Sequence, residues 1–301
     1  MCRVNQNKKV IVIAGPTAVG KTAIAIAVAK QFGTEIISAD SRQVFRELSI
    51  GVARPSAEEL AAVPHHFIAS HSIREKMTAA GFEEEALLKA DELFQQHDTV
   101  VMVGGTGLYI KAFTEGLDLI PEVPPEIHDA VITTYQEKGL EWLQEQVKTL
   151  DPQFYKEGES QNPVRLMRAL EVVKATGRSI LSFRTGEKKQ RHFDVVKLAL
   201  ELPKEQLHQN INRRVDQMME LGLLEEVRSL VPYQHLNALQ TVGYKELFAY
   251  ISSETTLPEA VDAIKQNTRR YAKRQLTWFR KDKEFTWLPP DEELVLAHLS
   301  K

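Results

Sequence analysis

Gly15-Pro16-Thr17-Ala18-Val19-Gly20-Lys21-Thr22 has the spacing G-x-x-x-x-G-K-[ST], a complete phosphate loop. Its glycines let backbone N–H groups turn toward an anion, Lys21 supplies a point charge, and the Thr22 hydroxyl is a hard oxygen suited to Mg²⁺. Two further groups stand at the ends of apolar runs. Asp40 follows Glu35-Ile36-Ile37-Ser38-Ala39, and Thr106 lies in Gly104-Gly105-Thr106-Gly107 after Thr99-Val100-Val101-Met102-Val103. Taken alone, an aspartate after a strand reads as a helix cap. Beside a phosphate loop it reads as a base.

The elements that must position these groups are those of a parallel sheet. Val10-Ile11-Val12-Ile13-Ala14 is apolar and β-branched, as a strand buried on both faces must be, and Ala23 to Ala29 suits a helix packed on that sheet. The helix directs its positive dipole end at the loop before it. Open α/β sheets bind ligands beyond the carboxyl ends of their strands, so the loop, Asp40 and Thr106 should meet in one crevice. No carboxylate ends the run Thr99 to Val103, where enzymes that hydrolyse nucleotides usually keep the aspartate that organises Mg²⁺.

Alternating strand and helix signals, including a helix from about 78 to 96, continue to about residue 117, where Pro121, Pro124 and Pro125 punctuate the chain. From about 126 to 177 the periodicity is helical, with Ile127, Val131 and Tyr135 at i, i+4, i+8. Strand character returns at Val195 to Leu200 and at Phe285 to Leu288. This predicts an α/β fold: a P-loop NTPase-like parallel sheet core flanked by helices, from residues 1–121 and 193–301, with an all-helical insertion domain at 122–192.

The chain has 301 residues, 43% hydrophobic, with a formal net charge of −3 and a single cysteine, Cys2, which excludes an internal disulfide and a cysteine-cluster metal site. His65-His66 lacks a third metal ligand in the pattern. No apolar run suggests a signal peptide or a membrane span, so a cytoplasmic location is expected. Net acidity does not exclude a nucleic-acid enzyme, which needs only a local basic surface. Between Asn267 and Asp282, Arg270, Lys273, Arg274, Thr277 and Lys281 fall on one helical face, while Ala272, Leu276 and Phe279 form the apolar stripe. A solvated surface is the plain reading of such a face. Gln275 and Trp278, interleaved with it, add polar reach and a stacking surface that point to RNA. A second basic group, Arg184, Lys188, Lys189, Arg191 and His192, closes the insertion.

The phosphate loop, Asp40-Ser41-Arg42-Gln43-Val44-Phe45-Arg46, Ile50 to Pro55, Pro64-His65-His66-Phe67, Val103 to Tyr109, Asn162 to Glu171, Val242-Gly243-Tyr244-Lys245-Glu246 and Lys273 to Arg280 together resemble the bacterial tRNA dimethylallyltransferases over nearly the whole chain. The resemblance implies transfer of a dimethylallyl group from dimethylallyl diphosphate to N6 of the adenosine 3′ of the anticodon, in tRNAs that read codons beginning with U. It makes Asp40, Thr106 and Lys21 the catalytic residues. Asp40 would take the amine proton and Thr106 would stabilise the bridging oxygen. The diphosphate would be held by Gly15, Pro16, Thr17, Ala18, Val19, Gly20, Lys21, Thr22 and Arg214, the last taken rather than its neighbour Arg213, with Mg²⁺ on Thr22.

The tRNA anticodon stem-loop would meet Asp40, Ser41, Arg42, Gln43, Thr106, His128, Arg165, Arg168, Gly243, Tyr244, Lys245, Arg270, Lys273, Arg274 and Gln275, and the protein would act as a monomer. Val52, Arg54, Ala69, Met77 and His128 stand where the family more often has Thr, Lys, Asp, Tyr and Arg. Two other classes remain open on the residues alone: a small-molecule or nucleoside kinase, and a non-catalytic nucleotide-dependent RNA-binding module. A transferase acting on free adenine nucleotide is the nearest chemical alternative.

Overall fold

The structure, a computed structural model, describes residues 8–158 and 160–300; Cys2 and Arg3 lie outside them. Two compact units divide the chain, one up to Glu115 and from Gln190 onward, the other Gly116–Lys189.

The first unit is built on a wholly parallel sheet. Its strands are β1 (Lys9–Ala14), β2 (Ile36–Ser38), β3 (His65–His66), β4 (Thr99–Gly104), β5 (Asp194–Leu200) and β6 (Thr286–Leu288), in the order β3-β2-β4-β1-β5-β6. Strand β1 is central because its run from Val10 to Ala14 is apolar and buried throughout. Val10, Val12 and Ala14 pack into the core on one face, and Ile11 and Ile13 into the core on the other. Helices α1 (Lys21–Phe32), α2 (Ala57–Ala62), α3 (Ala79–Leu93) and α4 (Gly107–Glu115) occupy the crossovers among the first four strands and the segment after β4. β1 is flanked by β4 and β5, not by its successor β2, so a switch point opens beside its carboxyl end. The two-residue β3 carries no apolar signal and is not legible as a strand.

In the second unit, α5 (Pro125–Leu150), α6 (Pro152–Glu157) and α7 (Pro163–Thr176) enclose a small core around Leu143, Val147, Phe154, Leu166 and Leu170. The long α5 is broken at Gly139, whose φ of 75° no helix interior adopts. Asp151 and Asn162 cap the two helices that follow, accepting from Phe154 N–H and from Val164 and Arg165 N–H.

Returning to the first unit, α8 (Lys204–Glu220), α9 (Leu223–Ser229), α10 (Tyr244–Ile251) and α11 (Leu257–Phe279) pack with the segment after β2 around Val44, Phe45, Leu48, Val215, Leu247 and Ile264. This cluster forms the wall opposite the strand ends. Helix α12 (Glu292–Leu299) follows β6.

Candidate active site

The phosphate loop joins β1 to α1 in a conformation that its sequence was selected to permit. Gly15 has φ 147°, and a Cβ there would stand 2.8 Å from the carbonyl oxygen of Leu200 in β5. Gly20, with φ 101°, is the left-handed N-cap of α1. Asn210 of α8 braces the loop by donating to the Ala18 carbonyl at 3.3 Å.

Lys21 Nζ donates to the Pro16 carbonyl at 2.7 Å. Burial first, and then the neighbouring Arg214, lower its pKa from 10.5 to about 7, with Asp40 acting the other way. The protonated form holds an anion better, and a bound anion raises the pKa. Affinity for an organic diphosphate is therefore expected to be full below about pH 7 and to fall as pH rises through the free-state value. Titration calorimetry of the native protein and of Lys21→Met, which cancels the ligand's own ionisation, checks this. Equal pH dependence in both proteins would exclude Lys21 as the titrating group.

Asp40 turns out to be both cap and candidate base. Its Oδ1 accepts from Arg42 N–H at 2.8 Å and Gln43 N–H at 3.1 Å, fixing the turn after β2. Oδ2 has no hydrogen-bond partner among the described residues, and the side chain lines the crevice. The ends of β2 and β4 are knitted together around it. Ala39 N–H donates to the Val103 carbonyl at 2.7 Å, and Thr106 N–H to the Ala39 carbonyl at 3.2 Å. Gly104 is obligatory here, since a Cβ would lie 2.2 Å from the Ala39 carbonyl oxygen. The Thr106 hydroxyl accepts from Ser41 N–H at 3.0 Å and donates to Ser41 Oγ at 3.3 Å, one residue along from Asp40.

Gln275 of α11 closes the constellation. It is 6% exposed, accepts from Thr17 N–H and donates to the Gly105 carbonyl, both at 2.9 Å. One amide thus ties the phosphate loop to the Thr106 loop. It lies inside, on the stripe of Ala272 and Phe279 rather than on the exposed basic face, and lines the crevice.

Arg214, on α8, lines the same crevice of about 700 Å³ and reaches Thr17 Oγ1 at 3.4 Å, whereas Arg213 is exposed and bonded to Asn210. Its own pKa is lowered by burial, and it remains charged. The crevice can hold a hard cation beside a diphosphate. Thr22, Ser38 and Asp40 present hydroxyl and carboxylate oxygens there and no soft donor. The other acidic group, Glu115, Asp282 and Glu284, surrounds the Lys197 ammonium at 2.6–2.7 Å and is matched to that cation.

The residues expected to touch RNA divide sharply. Arg270, Lys273 and Arg274 are exposed along α11, and Lys245 is exposed on α10. The Tyr244 ring is instead fully buried, and its hydroxyl donates to Glu226 Oε1 at 2.6 Å. Glu226 also accepts from the N–H groups of Ser49, Ile50 and Gly51, so the pair pins that loop, and Gly51 leaves the space the ring fills.

The Arg42 guanidinium donates to the carbonyls of Asn237 and Ala238, and Gln43 Nε2 to those of Val52 and Ala53. Arg54 donates through Nη2 to the carbonyls of Phe45, Arg46 and Leu48, while its buried Nε has no partner among the described residues. In the helical unit, His128 and Arg168 both engage buried Glu171, at 2.8 and 3.5 Å, while Arg165 lies exposed at the start of α7. His66 pairs with Glu35 and His65 Nδ1 with the Val63 carbonyl. Sequence reasoning passed over Tyr271, which lines the crevice one turn before Gln275.

A phosphate loop after the first strand, with a carboxylate and a hydroxyl supplied by the ends of β2 and β4, is the arrangement of a phosphate-loop α/β enzyme. The model of the IPP transferase family matches residues 43–282. A tRNA dimethylallyltransferase of Christiangramia forsetii is 51% identical over 93% of each chain, and one of Cytophaga hutchinsonii is 48% identical over 95% of this chain and 94% of its own. Among solved structures, the tRNA isopentenylpyrophosphate transferase of Bacillus halodurans superposes with a TM-score of 0.71 at 35% identity, covering 97% of this chain and 94% of that one. A eukaryotic dimethylallyltransferase, solved acting on tRNA, gives 0.74 at 27% identity over 90% of this chain and 69% of its own. The chain belongs to the tRNA dimethylallyltransferase family.

Proposed function

We propose that this protein transfers the dimethylallyl group of dimethylallyl diphosphate to N6 of the adenosine 3′ of the anticodon, in tRNAs reading codons that begin with U. The observation that carries this reading is the convergence of Lys21, Arg214 and Asp40 in one crevice, with the Thr106 hydroxyl bonded to Ser41, the residue after Asp40.

The amine nitrogen attacks C1 of the allyl group, the C1–O bond breaks with its electron pair going to the diphosphate, and the amine proton passes to Asp40. Lys21 and Arg214 offset the charge that grows on the leaving group. The Thr106 hydroxyl swings from Ser41 to donate to the bridging oxygen. Mg²⁺, held by Thr22 and the diphosphate, would add further positive charge there. Because an aromatic amine is a weak nucleophile, much of the rate rests on alignment, which the Gln275 bridge between the two loops enforces.

Incubation with dimethylallyl diphosphate, Mg²⁺ and unmodified tRNA, followed by nucleoside analysis, tests the reading. Prenylated adenosine is expected. Transfer of a γ-phosphate from ATP, with no prenylated adenosine, would establish a kinase instead.

The exposed basic face of α11, together with Lys245, supplies phosphate contacts that offset the few kcal/mol needed to flip a stacked base. Arg274→Ala is expected to weaken tRNA binding and to flatten the salt dependence by about one phosphate contact, while diphosphate affinity is kept. Binding isotherms at several salt concentrations check this, and an unchanged slope would return that face to solvent. The helical unit would grip the tRNA. The protein would work as a cytoplasmic monomer, in keeping with a tRNA substrate and with the absence, among the described residues, of a helix long and apolar enough to cross a membrane.

A further inference from the structure

Tyr271 is a side chain in the crevice that the mechanism leaves without a task. It stands on α11, half-buried, with Ala272 and Gln275 packed inward beside it and the Arg274 guanidinium 5.6 Å from its ring centroid. A packed phenol normally finds a hydrogen-bond partner. Tyr244 has Glu226, and the Tyr109 hydroxyl points at the Met77 carbonyl. The Tyr271 hydroxyl has none among the described residues, although it lines the same crevice as Asp40 and Arg42. Burial, followed by the nearby carboxylate of Asp40, pushes its pKa up to about 12, with Arg42 and Arg274 acting against them. At neutral pH it is therefore a donor.

We propose that Tyr271 is a specificity-determining residue whose hydroxyl donates to the ring nitrogen beside the amine of the acceptor base, completing with Asp40 a two-point reading of adenine. The assignment rests on the prenyl-transfer reading above. Adenine offers a donor at N6 and acceptors at N1 and N7 on either side of it. Asp40 takes the donor and Tyr271 supplies the complementary proton. Guanine would turn its O6 acceptor toward the Asp40 carboxylate and, at the N1 side, a ring N–H toward the Tyr271 donor, and a site built on hydrogen bonds rejects such a mismatch strongly. Arg274 holds the ring from its outer side, so the same turn of α11 that meets RNA phosphate on one face would read the base on the other.

The test is a set of single-turnover prenyl transfers to anticodon stem-loop RNAs carrying adenosine, 1-deazaadenosine or 7-deazaadenosine at the acceptor position, with the native protein and with Tyr271→Phe. Loss of one neutral hydrogen bond predicts a drop of about tenfold for Tyr271→Phe on adenosine. One of the two deaza substitutions should slow the native protein by a similar factor and add nothing in Tyr271→Phe, thereby naming the nitrogen. Diphosphate affinity, measured in parallel, should be unchanged, which shows that the variant is folded. The assignment is overturned if Tyr271→Phe keeps the native rate, or if both deaza penalties persist undiminished in it, since a purely structural tyrosine would slow every RNA alike. Failure of the native protein to prenylate the adenosine RNA would defeat the parent reading instead.

Discussion

Asp40→Asn is expected to lower the single-turnover rate of prenyl transfer by about 10²–10⁴-fold, the range over which a positioned general base contributes. The substitution preserves the turn, because an asparagine carbonyl can still accept the N–H groups of Arg42 and Gln43 that Oδ1 holds at 2.8 and 3.1 Å. What changes is the second atom. The oxygen that would take the amine proton becomes an NH₂ group, which cannot accept a proton and turns its own donors toward those of the amine. Dissociation constants for tRNA and diphosphate should move only a few-fold. A small loss of diphosphate affinity is itself expected, since Asp40 raises the Lys21 pKa and its removal leaves that lysine less protonated at neutral pH. A variant that keeps the native rate would show that Asp40 is only the cap of its turn.

How much of this site could be read from the chain depends on whether each residue's partners are near it in sequence. The phosphate loop is self-contained, since strand, glycines and helix lie within one short stretch, and the sheet around it follows from apolar runs such as Val10 to Ala14. Strand order does not follow from those runs, because which neighbour β1 takes is decided by crossovers between segments far apart in sequence. Side chains whose partners lie elsewhere are the ones whose setting the chain does not reveal. Tyr244 looked available until Gly51 and Glu226, both remote in sequence, were seen to enclose it.

Gln275 is instructive because the signal was present. It follows Ala272 by three residues and precedes Phe279 by four, which places an amide on the buried stripe of its own helix. A buried amide must find partners, and the nearest candidates were the two loops already identified. The second unit shows the opposite limit. Its helical periodicity is continuous, so the break at Gly139 is invisible until its φ is known.

Lys21→Ala is expected to reduce turnover by about 10²-fold or more, the scale of deleting one preorganised electrostatic donor, or roughly 2.7 kcal/mol of transition-state stabilisation. Arg214 remains nearby and continues to bind the diphosphate in the ground state, so affinity should suffer less than rate. That asymmetry follows from the resting geometry. Lys21 is bonded to the Pro16 carbonyl of its own loop, and its low pKa of about 7 marks an ammonium short of compensating charge. A diphosphate relieves that shortage, and a diphosphate carrying the additional charge of bond cleavage relieves it further. Lys21→Arg should not restore the rate, since a planar guanidinium cannot adopt the compact position of an ammonium curled over the loop. Steady-state kinetics together with equilibrium binding of dimethylallyl diphosphate separate the two contributions. A raised KM with unchanged kcat would assign Lys21 to ground-state binding alone and leave Arg214 to neutralise the departing group.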